Sequence, residues 1–156
     1  QDSDEELFWS DVMGFFEGFS KIVFVISYVL WAGGGLTVSL LMIPMKDPRT
    51  EPQVQGYLHA FWQTTRIPAA ALSFVVLGAA ITMAIIVSAS LLWSSIFSLS
   101  WFLTFLFWLM ADRFMKSGGS DPRSMVEVHK RSFHAYLVMA DISIFLSMLS
   151  VAFMLL

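Results

Sequence analysis

The sequence predicts an all-α integral membrane protein, in which four spanning helices form a bundle. Of the 156 residues, 57% are hydrophobic and only 13% are charged, whereas roughly 25% are charged in an average soluble domain. Mean hydropathy is +0.72. Four apolar stretches reach the ~20 residues that a helix needs to cross a bilayer. They cover about 22–45, 67–87, 91–111 and 132–156, which predicts one transmembrane domain over residues 22–156.

An acidic segment, residues 1–21, precedes the first span. Its apolar residues stand among Asp and Glu: Leu7, Phe8, Met13, Phe15, Phe16 and Phe19. This pattern predicts a short helix that lies in the outer membrane interface, with a frayed acidic tail as the alternative. Because the first residue is Gln rather than Met, we expect that a signal peptide was removed or that the expressed gene was trimmed.

The second and third spans are separated only by the tripeptide SAS at residues 88–90. A single straight helix across both stretches would be far longer than the bilayer is thick. The sequence therefore predicts a tight turn at 88–90 between two antiparallel helices.

The basic residues predict the orientation of the spans. They cluster in the first and third connections: Lys46, Arg49, Arg66, Arg113, Lys116, Arg123, Lys130 and Arg131. Basic loops stay on the cytoplasmic side, whereas the 88–90 turn is uncharged and the N-terminal segment is acidic. Both termini are therefore expected outside, in the cytoplasmic membrane of a bacterium or archaeon.

The two basic connections resemble each other. The tripeptide DPR recurs at 47–49 and 121–123, and a His-Ala-aromatic triplet recurs at 59–61 and 134–136. The shared order of these motifs predicts a duplicated two-helix hairpin, a kind of internal repeat known in membrane proteins.

Two charged residues follow the repeated histidines at the same spacing. Arg66 comes seven residues after His59, and Asp141 comes seven residues after His134. In a duplicated bundle these positions are equivalent, so we expect Arg66 and Asp141 to form a buried ion pair, with a protonated Asp141 as the alternative. Pro68 can kink the second span and turn Arg66 away.

The histidines also predict a possible cofactor site. His59 and His134, on facing helices near one membrane surface, would suit the two axial positions of a b-type haem, with Arg131, Lys130 and Arg66 near the propionates. No Cys-x-x-Cys-His motif is present, so this haem would be non-covalent. The alternatives are interfacial histidines without a ligand and a metal site of His59, His129 and His134. The spacing of five residues between His129 and His134 disfavours the metal site.

Several classes of function are disfavoured. The chain has no cysteine, which excludes a thiolate metal site and a cysteine nucleophile. It has no P-loop, G-x-G-x-x-G, G-x-S-x-G or H-E-x-x-H motif. Nothing in it is typical of nucleic-acid binding. We expect that the chain has no catalytic activity of its own and binds no metal ion.

Two stretches resemble a known group of membrane proteins. WAGGGLTVSLLMIP at 31–44 and RIPAAALSFVVLG at 66–78 are similar to motifs in the HemJ-type protoporphyrinogen oxidases and the CopD-like copper-resistance proteins. The resemblance covers residues 25–87 and implies a four-helix, haem-binding scaffold. It also implies a functional histidine in the first span and a lysine in the third. This sequence has neither residue within 22–45 or 91–111.

Three functions remain as expectations. The first is a small structural or assembly subunit of a larger respiratory or photosynthetic complex. The connections at 46–66 and 112–131 are too short to form a catalytic domain of their own. The second is a stand-alone haem-binding redox protein. The third is a small transporter or channel that uses Asp141 and Arg66. The expected partners are membrane lipids and other membrane subunits.

Overall fold

The structure is a computed structural model that describes residues 2–47, 49–116 and 127–156, and every regular element in these ranges is helical. Helix α1 is Asp2–Leu41, followed by a 3-10 turn at Ile43–Lys46. The other helices are α2 (Pro52–Val87), α3 (Leu91–Lys116) and α4 (Glu127–Leu155). All four are long and apolar enough to cross a membrane. The predicted all-α class is confirmed, and each of the four helices overlaps one of the four predicted spans.

The expected boundary between the N-terminal segment, residues 1–21, and the first span is not a helix boundary in the structure. The acidic segment is not a separate short helix, because α1 continues without a break from Asp2 into the first span. Its 40 residues correspond to roughly 60 Å at 1.5 Å per residue, about twice the thickness of the hydrocarbon core. The location of this segment at the outer surface stays a prediction.

The turn between α2 and α3 lies where the sequence predicted it. Ser88 ends α2 in the left-handed conformation, with φ 52° and ψ 46°, and the backbone N–H of Ala89 donates to the carbonyl of Ala84 at 3.1 Å. This bond satisfies one of the carbonyls that a helix end leaves open. The short polar side chain of Ser88 keeps the left-handed conformation accessible without glycine.

The core consists of two clusters at opposite ends of the four helices. One contains a residue from every helix, namely Phe24, Val76, Phe97 and Val151. The other joins the end of α1 to the start of α2, the end of α3 and the early part of α4, through Met42, Trp62, Met115 and Phe133. Successive helices therefore run in opposite directions, and the described ends of α1 and α3 lie beside the starts of α2 and α4.

Ser73, fully buried on α2, links three helices through hydrogen bonds. Its Oγ accepts a bond from Trp31 Nε1 at 2.9 Å and donates to the carbonyl of Ala69 at 2.8 Å. Its own carbonyl accepts from Trp101 Nε1 at 2.8 Å. Both indole N–H groups are thereby satisfied in an apolar interior, where an unpaired donor is costly. These bonds fix the position of α2 relative to α1 and α3.

Within the glycine triplet at 33–35, only one glycine lies in close contact with other helices. A Cβ built on Gly35 would lie 2.5 Å from Cζ2 of Trp108 and 3.1 Å from Cδ1 of Ile144, whereas Gly33 and Gly34 have nothing within 4 Å. Only glycine at position 35 leaves room for the Trp108 indole against α1.

The duplication stays a prediction. The second DPR motif, at 121–123, lies outside the described residues.

Candidate functional site

A cavity of about 480 Å³ lies between α1, α2 and α3. This volume is within the ~300–1,000 Å³ of typical small-molecule sites. Most of its wall is apolar, and it includes Trp31, Val38, Leu72, Phe105 and Trp108. Small residues face the large ones: Gly34 and Gly35 on α1, and Ala69 and Ala70 on α2. The space exists because these small side chains do not fill the gap between the helices.

One end of the cavity is charged, and Asp112 is the centre of this end. Its Oδ1 accepts a hydrogen bond from Trp62 Nε1 at 3.0 Å and lies 3.9 Å from Nη1 of Arg66. Its Oδ2 lies 3.0 Å from Nζ of Lys116, one turn further along α3. Trp62, Arg66, Asp112 and Lys116 all line the cavity. We call these four residues the Asp112 cluster; two cations and one anion leave it with a net positive charge.

The Asp112 cluster lies at the ends of two apolar stretches. Arg66 directly precedes the apolar stretch of α2, and Asp112 directly follows that of α3. Away from the cluster, the cavity continues beside the apolar parts of the helices. Three lining residues are strongly exposed, namely Leu30 at 58%, Ile67 at 70% and Leu109 at 49%. The cavity therefore opens on the apolar outer surface, which in a membrane faces lipid.

The predicted ion pair between Arg66 and Asp141 is not formed. Arg66 lies against Asp112, and Asp141 Oδ1 instead accepts a hydrogen bond of 2.8 Å from Ser39 Oγ on α1. The reason is the helix arrangement: α2 packs mainly on α1 and α3, while α4 packs mainly on α3 and α1. Equivalent positions on α2 and α4 are thus diagonal, and each finds its partner on a helix between them.

The structure buries both predicted haem ligands but does not place them around one described cavity. His59 is 4% exposed, and its Nε2 makes no hydrogen bond to any residue that the structure describes. His134 lines a separate groove on α4 with Arg131, and neither histidine lines the large cavity. Near them, α2 and α4 meet through the rings of Trp62 and Phe133, whose centroids are 5.1 Å apart.

The remaining predicted ligands lie in the first turns of α4. Lys130 is half-buried and Arg131 is exposed, while the ring of His129 lies 5.5 Å from that of Phe114. The described residues contain no group of three His, Asp or Glu side chains that are placed to hold a metal ion.

A row of serines on α4 bonds to its own helix. Ser143 and Ser147 donate to the carbonyls of Met139 and Ile144, and Ser150 donates to that of Ser147. All three serines are buried, and Ser147 also shares a bond of 2.7 Å with the Tyr28 hydroxyl. This arrangement is typical of close helix packing and gives the transport hypothesis no support.

Sequence reasoning missed Asp112, Trp62 and Ser39. Asp112 lies one residue beyond the predicted third span, and Lys116 follows it at the i,i+4 spacing of helical ion pairs. That spacing was the available signal for Asp112. No local signal identifies Ser39 as the partner of Asp141, since 102 residues separate them.

No protein-family model, curated protein or solved structure matches this chain. The resemblance of residues 25–87 to the HemJ-type and CopD-like group therefore remains an interpretation of short motifs.

Proposed function

We propose that this chain is a small integral membrane subunit of a larger respiratory or photosynthetic complex, with a structural or assembly role. In this proposal it is a four-helix bundle with both termini outside. The observation that supports it best is the first half of α1, a helix with an apolar face that nothing in the described chain covers.

The uncovered face lies on one side of the first half of α1. At 100° per residue, five aromatic residues occupy about one third of the helix circumference: Phe8, Trp9, Phe15, Phe16 and Phe19. Each is at least 50% exposed. Three acidic residues, Glu6, Asp11 and Glu17, lie outside this third of the circumference, whereas Glu5 lies within it. We call the five residues the aromatic face of α1.

The unbroken helix favours a protein partner for this face. Because α1 is about twice as long as the hydrocarbon is thick, an upright first span carries its first half out of the membrane. There the aromatic face would meet water unless another protein covered it. To lie flat on lipid instead, the helix would have to bend, and α1 is continuous through Gly14 and Gly18.

Substituting the aromatic face is expected to detach the subunit. Wild-type chain extracted from its native membrane in mild detergent should migrate in a native gel as part of a much larger complex than one 17.6 kDa chain. The variant Phe8→Ser/Phe15→Ser/Phe19→Ser should migrate as the free chain, because it loses the largest apolar contacts of the face.

The matched control is Glu6→Ser/Asp11→Ser/Glu17→Ser, which changes three residues of the same helix outside the aromatic face and should leave the complex intact. The mass of the wild-type protein is also measured by light scattering, with the mass of the bound detergent subtracted. A wild-type protein with the mass of a single chain would refute the proposal. Equal dissociation by both variants would show that the aromatic face is not the contact.

A bound b-type haem is a second candidate, and the buried Nε2 of His59 favours it. An imidazole nitrogen of a buried histidine is a suitable axial ligand for haem iron. When bound, a haem would supply one-electron transfer, and the chain would supply ligands, burial and nearby cations.

The haem hypothesis predicts a visible spectrum for the gently purified chain. Dithionite reduction should sharpen an α-band, and His59→Ala/His134→Ala should abolish it, because both axial ligands are lost. His129→Ala is the control and should leave the band unchanged. Absence of a Soret band in the wild type, or its persistence in the double variant, would eliminate this candidate.

A further inference from the structure

We propose that the cavity between α1, α2 and α3 binds one anionic phospholipid, with its phosphate on Arg66 and one acyl chain along the apolar wall. This inference concerns a ligand of the chain itself and does not depend on the proposed role as a subunit. The charge, level and shape of the cavity each support it.

The charge of the Asp112 cluster selects an anion. Lys116 lies 3.0 Å from Asp112, whereas the Arg66 guanidinium makes only a long contact of 3.9 Å to the same carboxylate. A guanidinium has five N–H donors in a planar fork that matches phosphate. Arg66 therefore retains donors for a second acidic group, and the net positive charge disfavours a cationic head group.

The depth of the Asp112 cluster in the membrane suits a lipid head group. Arg66 and Asp112 lie at the points where the apolar stretches of α2 and α3 end, which is where the hydrocarbon of a bilayer gives way to head groups. The rest of the cavity extends into the apolar region. A phosphate at Arg66 thus stands at the depth of the other lipid phosphates, and its acyl chain points toward the hydrocarbon.

The shape of the cavity suits an acyl chain that enters from the side. Trp31, Phe105 and Trp108 provide a rigid aromatic wall, and Ala69 and Ala70 provide space opposite them. The exposed side chains of Leu30, Ile67 and Leu109 mark an opening to the outer surface. A lipid can therefore enter from the bilayer without any opening to water.

Native mass spectrometry of the full chain in non-ionic detergent tests the proposal. We expect one dioleoyl phosphatidylglycerol per chain, bound at least tenfold more tightly than dioleoyl phosphatidylcholine. Arg66→Gln should weaken phosphatidylglycerol binding about tenfold or more, because it removes a charge-assisted hydrogen bond. Arg113→Gln is the matched control: Arg113 is an exposed neighbour of Asp112 that does not line the cavity, and its replacement should change binding little.

A second pair of variants tests the acyl-chain position. Ala69→Phe fills the cavity, whereas Ala71→Phe adds the same ring to an exposed position of α2 outside it. Phosphatidylglycerol with brominated chains should quench the fluorescence of the cavity residues Trp31 and Trp108, and this quenching should fall with Ala69→Phe alone. Circular dichroism and thermal unfolding establish that each variant is folded.

Four results would overturn the proposal. Equal affinity for phosphatidylcholine would remove the selectivity for an anion, and equal weakening by Arg66→Gln and Arg113→Gln would reduce it to general surface charge. If millimolar inorganic phosphate displaced bound phosphatidylglycerol as effectively as added lipid does, the ligand would be a free anion. Retention of a neutral amphiphile in place of the phospholipid would assign the cavity to a different class of ligand.

Discussion

Replacing Gly35 by Ala is expected to lower the free energy of unfolding by about 1–3 kcal/mol, the usual effect of an extra methyl group in a packed interior. The new Cβ would lie 2.5 Å from the Trp108 indole and 3.1 Å from Ile144. The Trp108 ring packs edge-on against Trp31 with centroids 5.7 Å apart, so accepting the methyl group requires this ring to shift. Reversible unfolding of the full chain in detergent or bicelles measures the change.

Gly33→Ala is the matched control, since a Cβ at this position has nothing within 4 Å. Ala is the better helix former by about 1 kcal/mol, so this change should be neutral or stabilising. Trp108→Leu, in the Gly35→Ala background, should restore part of the lost stability by removing the ring that the methyl group meets. Equal effects at positions 33 and 35 would show that α1 does not approach Trp108 as closely as the structure indicates.

The spans were predictable from sequence because long apolar runs are a strong signal. The end of α2 at Val87 and the start of α3 at Leu91 coincide with the predicted boundaries. The end of α4 at Leu155 lies one residue from the predicted boundary. The starts of α1 and α2 were not predicted, since hydropathy marks where the apolar stretch begins and not where the helix does. Helix α2 begins at Pro52, fifteen residues before its apolar stretch, and proline is common at the first position of a helix.

The site was only partly predictable, because helix-to-helix neighbours decide it. Arg66 was identified from its position seven residues after His59, and its partner was assigned from the same assumed symmetry between α2 and α4. In the structure Arg66 pairs with Asp112, and Asp141 accepts a hydrogen bond from Ser39. Both true partners lie on helices that the symmetry argument did not consider. Nor does any sequence pattern reveal a cavity, which depends on how small and large residues of three helices meet.

Replacing Asp112 by Leu is expected to lower the free energy of unfolding by about 1–3 kcal/mol, the effect of leaving a buried donor unsatisfied. Trp62 Nε1 loses its acceptor, and Arg66 and Lys116 lose the anion that lies between them. A double-mutant cycle with Trp62→Phe measures the indole contribution: once the N–H is absent, the effect of Asp112→Leu should shrink. Additive effects would mean that the hydrogen bond contributes nothing.

Asp112→Asn separates the stability of the fold from the binding of lipid. The amide oxygen of Asn still accepts the Trp62 hydrogen bond, so this variant should lose less stability than Asp112→Leu. It also removes the single negative charge of the Asp112 cluster, which frees Arg66 and raises the net positive charge. Affinity for phosphatidylglycerol should therefore rise while stability falls. A purely structural role for Asp112 predicts that stability and lipid affinity fall together, so the sign of the change in affinity distinguishes the two roles.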